Sequence, residues 1–122
     1  MEKYRQSIGK QGETKAKNYL KRRGYQILES NYRTKAGEID LIAKEKDCLV
    51  FVEVKTRTTE EYGTPAEAVS FYKQQHMINS AKYYLTRHGG ECECRFDVIE
   101  VRLSSRGWLK IAKINHLKNV LQ

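Results

Sequence analysis

The sequence predicts an α/β fold: a mixed sheet of about five strands flanked by helices, in the order α-β-β-β-α-β-β-α. Three observations predict it. Apolar residues recur at helical spacing in two long segments, one N-terminal and one central. Five short runs rich in β-branched and aromatic residues lie between and after them, bounded by glycine and polar turns. One of these runs, Leu49 to Val54, is apolar on both faces except at a single residue, which marks a strand covered above and below.

Tyr4, Ile8, Gly12, Ala16, Tyr19 and Leu20 form the stripe of a first amphipathic helix that starts between Glu2 and Gly9 and ends near Arg23, with Gly24 as the C′ residue. Strands are expected over Tyr25–Tyr32, Glu38–Lys44 and Cys48–Thr56, joined by turns at 34–37 and 45–47. A polar loop, Arg57 to Gly63, follows. Thr64 as N-cap, Pro65 as first helical residue and Glu67 as capping-box partner then predict a second helix, running to about Arg87 or His88 and stopped by Gly89-Gly90. Two more strands are expected, Arg95–Leu103 and Leu109–Ile114, and Asn115 is placed to cap a short last helix, His116 to Leu121.

At 122 residues, with no composition break or repeat, residues 1–122 are expected to form one domain. Hydrophobic residues at 39% suffice for a core, while charged residues at 31% describe a wet surface. No apolar stretch reaches the roughly 18–20 residues needed to cross a bilayer, so no membrane association is expected. Met1 to Lys10 carry no apolar core of a secretory signal, and three cysteines do not make a disulfide framework; the expected location is cytoplasmic. Cys92-Glu93-Cys94, with His88 upstream, lacks the C-x2-C spacing and second ligand pair of a zinc site and reads as small residues entering a strand. Of the net charge of +8, +7 lies in residues 1–35, with ten basic and three acidic residues. That is the electrostatic footprint of a polyanion binder, although basic residues at 21–23 also suit a helix C-terminus.

Two strands carry charge where charge is expensive. In the third strand Val50, Val52 and Val54 share one face, and Leu49, Phe51, Glu53 and Lys55 share the other. In the second strand Asp40 interrupts Ile39, Leu41, Ile42 and Ala43. If these strands form a hairpin through residues 45–47, pairing Lys44 with Cys48 sets residue 40 opposite residue 52, beside Glu53. Two carboxylates that close repel unless a cation lies between them, and oxygen ligands suit Mg²⁺ or Mn²⁺. The competing reading is a buried ion pair of Lys55 with Glu53 or Asp40. On the first helix Glu13 lies at the edge of the buried stripe and could face either the sheet or solvent. Lys73 lies on the stripe of the second helix with Val69, Met77 and Tyr84, where a lysine either reaches solvent or meets a buried anion.

Asp40 followed by Glu53-Val54-Lys55 resembles the PD-(D/E)xK nuclease superfamily, with Ile39 standing where the motif's name has proline. The longer strings Gly12-Glu13, Gly24-Tyr25, Gly37-Glu38-Ile39-Asp40-Leu41-Ile42, Phe51-Val52-Glu53-Val54-Lys55-Thr56-Arg57 and Arg95-Phe96-Asp97-Val98 resemble the YraN-type family of uncharacterised bacterial proteins, over about residues 5 to 102. The resemblance implies a restriction-endonuclease-like fold similar to that of archaeal Holliday-junction resolvases. It implies that Asp40, Glu53 and the Val54 carbonyl bind the divalent metal, that Glu13 completes the site, that Lys55 orients the attacking water and that Lys73 supports it. The expected activity is Mg²⁺-dependent hydrolysis of phosphodiester bonds in DNA, selecting structure rather than sequence.

In that mechanism Arg57, Arg33, Lys35 and the first helix would contact backbone phosphates. Tyr25, Tyr32 and Trp108 could stack on bases but are better placed as core or interface residues. Related nucleases often act as pairs, so a homodimer is compatible with the resemblance. Two other classes remain compatible with the residues: a nucleic-acid-binding module without hydrolysis, and a subunit that works through a protein partner.

Overall fold

A computed structural model describes residues 2–58, 70–89, 92–106 and 109–121. Its elements are α1 (Glu2–Arg22), β1 (Gln26–Thr34), β2 (Gly37–Glu45), β3 (Cys48–Thr58), α2 (Phe71–Arg87), β4 (Glu93–Arg106) and β5 (Leu109–Leu117). The strands form one five-stranded sheet in the order β1-β2-β3-β4-β5. Neighbours are antiparallel except β3 and β4, which run parallel because α2 lies in the connection between them. The mixed α/β architecture is therefore the one the sequence predicts.

The helix α1 ends as expected, and the reason is local. Gly24 has φ +90°, a conformation that only glycine adopts without strain. The Tyr25 N–H bonds the Leu20 carbonyl and the Gly24 N–H bonds the Lys21 carbonyl, both at 3.0 Å, which is a Schellman motif. Tyr25 and Leu20 are both buried in one core cluster, the apolar contact that accompanies this motif.

The two helices cover opposite faces of the sheet. On the α1 face Ala16 and Leu20 pack with Leu41, Ala43, Val50, Val52, Val54, Ile99 and Val101. On the α2 face Ala81 and Tyr84 pack with Ile39, Ile42 and Phe51, while Met77 packs with Val98. The alternation of Val50, Val52 and Val54 against Phe51 and Glu53 is thus a split between two buried layers, which makes β3 the doubly covered strand. At Gly12 α1 lies tight against β3: a Cβ there would lie 1.8 Å from the Thr56 Oγ1.

Three expectations are corrected. The chain forms no helix over 116–121. Instead β5 continues through Leu117, with Asn115, His116 and Leu117 paired to Glu100, Ile99 and Val98. The next residues fold back so that the Val120 N–H meets the Phe96 carbonyl at 2.7 Å. A six-residue helix is marginal alone, and ladder bonds plus the burial of His116 outweigh it.

The second helix does not run unbroken from Thr64. Ser70 is extended (φ −71°, ψ 164°) and its hydroxyl caps α2 by accepting the Lys73 N–H. The expected start at Thr64, Pro65 and Glu67, most of the 57–63 loop, Gly90 and Trp108 lie outside the described residues, as does the side chain of Tyr4.

Finally, the β2–β3 register is one residue from that expected. Lys44 pairs with Leu49, and the ladder ends at Leu41 and Val52.

Candidate active site

The end of the β2–β3 ladder makes the site. With Leu41 level with Val52, one further step would set Asp40 beside Glu53, but the pairing stops there. In place of a strand carbonyl, Asp40 Oδ2 accepts the Val54 N–H at 2.8 Å. Asp40 thereby takes up a backbone donor that the parting of the strands would leave without a partner.

Beside it Glu53, 4% exposed, projects from β3 onto the α2 face. Burial and the neighbouring Glu53 charge push the Asp40 carboxyl up to about 8, against which the Val54 N–H pulls only in part. Two acidic groups therefore compete for one poorly hydrated place, as the strand pattern led one to expect.

Two lysines answer them. Lys55 Nζ lies 3.7 Å from Glu53 Oε1, and the ammonium of Lys73, from the first turn of α2, contacts the same oxygen. Lys73 therefore reaches a buried anion while its side chain stays 38% exposed. The two amines are driven apart in basicity. Burial and the adjacent Lys73 charge lower Lys55. Burial also pulls on Lys73, but its bond to the Glu53 carboxylate and the attraction of that charge prevail and raise it.

Glu13 approaches from α1. It is half-buried, accepts a hydrogen bond from Asn31 Nδ2 at 3.2 Å, and its charge adds to those raising Asp40. Asn31 sits in β1 between the residues paired with Leu41 and Ile39, and so level with Asp40.

The remaining predicted contacts are spread around this centre. Arg57 follows Lys55 on the same face of β3 and places Nε 3.0 Å from Glu100 Oε2; Arg102 reaches that carboxylate at 3.4 Å. Glu100 is the strand neighbour of Lys55, and Arg102 that of Arg57. Arg33 lies 3.8 Å from Glu38, and Lys35 is exposed in the β1–β2 turn; neither forms an ion pair with Asp40 or Glu53. Tyr25 is buried in the α1 layer and Tyr32 packs edge-on against Tyr84 at 5.2 Å, so both are packing residues.

Among the described residues no three His, Cys, Asp or Glu side chains form a ready-made metal-binding group. Asp40 and Glu53 still fit a hard divalent cation: both are oxygen donors, and burial together with the Glu53 charge makes Asp40 hold its proton, a cost that a cation between the two would relieve. Mg²⁺ needs few protein ligands when phosphate and water supply the rest. Cys48, Cys92 and Cys94 are free thiols, and His88 stacks on Tyr84 rather than joining them.

Sequence reasoning missed two features. One is a buried network around Asp97, which accepts bonds from His116 Nε2 at 2.7 Å, Arg95 Nε at 3.1 Å and the Asn119 N–H at 2.9 Å. Its signal was available in Asp97 interrupting an apolar strand, but its partner His116 was assigned to a helix. The other is the aromatic pair Phe71 and Tyr72, which becomes the exposed start of α2 because the helix begins at Phe71.

The profile of the uncharacterised protein family UPF0102 matches residues 12–101. The chain is 47% identical over 114 residues to a UPF0102 protein of Chlorobium chlorochromatii (strain CaD3), covering 92% of this chain and 88% of the relative. It is 50% identical over 115 residues to one from Alkaliphilus oremlandii (strain OhILAs), covering 92% and 95%. A third UPF0102 protein, from Caldicellulosiruptor saccharolyticus, is 43% identical over 116 residues, covering 94% and 97%. No helix among the described residues is long and apolar enough to cross a membrane.

Proposed function

The chain belongs to the UPF0102 family, the YraN-type family its motifs resemble, and we propose that it is a metal-dependent endonuclease of the PD-(D/E)xK kind, hydrolysing phosphodiester bonds of DNA and selecting structure rather than sequence. The observation that carries this reading is the meeting of Asp40, Glu53, Lys55 and Lys73 where β2 and β3 part. A strand end that gathers two carboxylates and two amines is costly to stability, and such placements concentrate at catalytic sites.

A phosphodiester carries negative charge, so an attacking water must be positioned and the growing charge offset. Asp40 and Glu53, with the Val54 carbonyl, would hold Mg²⁺ or Mn²⁺, which when bound polarises a phosphate oxygen and makes water more acidic. The Val54 N–H fixes the Asp40 carboxylate, so the ligand geometry is set before substrate arrives. Lys55, the less basic amine, orients the water and neutralises charge on the reacting phosphate. Lys73 keeps Glu53 in place as a fixed positive charge. Glu13 and Asn31 close the α1 side. Arg57, Arg33 and Lys35 contact phosphates beyond the cleavage point, which gives affinity without base reading. The free thiols and a DNA substrate fit a cytoplasmic protein.

The test is a cleavage panel of duplex, nicked, flapped, single-stranded and four-way DNA with Mg²⁺ or Mn²⁺, run with the wild type and with Asp40→Ala, Glu53→Ala and Lys55→Ala. Cleavage by the wild type that each substitution abolishes, with DNA binding retained, supports the reading. Intact substrates throughout, or variants as active as the wild type, overturn it and leave a buried ion-pair cluster in a basic domain.

A further inference from the structure

The largest exposed apolar side chains among the described residues directly precede Lys73, whose ammonium meets Glu53. Phe71 is 76% exposed and Tyr72 74% exposed. The third such residue, Tyr83, carries Arg87 over its ring at 4.6 Å, so its exposure has a local explanation. Phe71 and Tyr72 are far more exposed, and two adjacent aromatic rings at a helix start are an expensive surface to leave to water.

Tyr72 is also held. Its ring lies edge-on against that of His76, centroids 4.2 Å apart. The His76 Nδ1–H bonds the Ala36 carbonyl, and the ring lies over Gly37, where a Cβ would stand 3.2 Å away. The Tyr72 ring thus rests against a His76 ring that is itself bonded to the β1–β2 turn, which lowers the entropy lost on binding a flat partner. The chain continues from it into Lys73, whose amine meets Glu53, and the turn that His76 bonds carries the exposed Lys35.

An exposed ring beside a lysine-bearing turn suits a nucleic-acid strand, where phosphates flank each base. A base inside a duplex already has neighbours on both faces, so only an unpaired base is open to such a ring. Resting on the nuclease reading above, we propose that Tyr72, with Phe71 beside it, is a stacking platform for an unpaired base next to the scissile phosphate, so that the site takes single-stranded DNA or the unpaired strand at a branch.

The test uses the full chain in Ca²⁺, to separate binding from cutting, and a single-stranded oligonucleotide carrying 2-aminopurine, beside a blunt duplex of equal length. The wild type should bind the single strand more tightly than the duplex and quench the 2-aminopurine emission. Tyr72→Ala should weaken single-strand binding about tenfold and remove most of the quench. Duplex affinity and the salt dependence should not change, because no charge is lost. Tyr72→Phe, which keeps the ring, should behave as the wild type. Thermal melts of each variant confirm folding, which exposed substitutions leave intact. Single-strand affinity within twofold of wild type in Tyr72→Ala, or wild-type preference for the blunt duplex, overturns the proposal. Cutting is scored separately in Mg²⁺: a protein that stacks the base without ever cutting refutes hydrolysis and upholds the platform, whereas one whose cutting of a flapped strand is unaffected by Tyr72→Ala refutes the platform alone.

Discussion

Asp40 Oδ2 accepts the Val54 N–H at 2.8 Å, across the point where β2 and β3 cease to pair. A side chain of one strand thus completes the backbone bonding of the next. The same contact ties the first carboxylate to the strand that carries the second.

The charge at Asp40 makes the metal-free protein less stable as pH rises. Its carboxyl titrates near 8 in the fold, whereas an unfolded aspartate titrates near about 3.9. The fold therefore holds the proton more tightly, and stability declines between these two values with no further loss above them. Asp40→Asn keeps an oxygen for the Val54 N–H and removes the charge. Melting in chelator should show the variant more stable by at least about 1 kcal/mol at pH 9, with the gap closing at pH 4.

Glu53 supplies part of that shift. Burial is the larger cause, and the Glu53 charge is next. In Glu53→Gln the Asp40 carboxyl should titrate below 8 yet remain above the ordinary carboxylate range, because burial persists. Carbon-13 NMR of the aspartate carboxyls follows this directly. An unchanged midpoint would mean that the two groups do not interact.

Gly12 is the residue that lets α1 lie against β3. A methyl group there would stand 1.8 Å from Thr56 Oγ1 and 2.7 Å from its Cγ2. Gly12→Ala should destabilise the protein by about 1–3 kcal/mol despite alanine's better helix propensity, since overpacking dominates. Adding Thr56→Ala should recover part of the loss, measured as a coupling energy in a double-mutant cycle from urea melts.

The Asp97 network binds the end of the chain to the sheet. Burial pushes the Asp97 carboxyl up, but bonds from His116, Arg95 and the Asn119 N–H prevail and hold it below the usual range. Its contribution to stability is therefore complete above the unfolded value of about 3.9 and is lost as pH falls towards the lower folded value. Asp97→Asn should cost about 2–4 kcal/mol at neutral pH, because the Arg95 and His116 donors lose their charged acceptor. Urea melts at pH 7 and pH 3 should show this difference shrinking in acid.

The amino-acid pattern alone determined the five strands, the bulk of both helices and the identity of the charged residues that disturb two apolar strands, because periodicity and burial are local to each segment. Gly24 after a basic helix end, and Glu53 among valines and phenylalanine, are legible from single residues and their immediate neighbours. Tertiary structure decided what depends on how segments meet. The register that ends at Leu41 and Val52 joined Asp40 to the Val54 N–H, and the cap at Ser70 brought Lys73 to Glu53 and left Tyr72 in the open. The final residues became strand rather than helix because His116 gains a buried carboxylate and a ladder partner at once. Neither gain exists until β4 is in place, so a free energy that arises only between distant segments overruled a weak local preference.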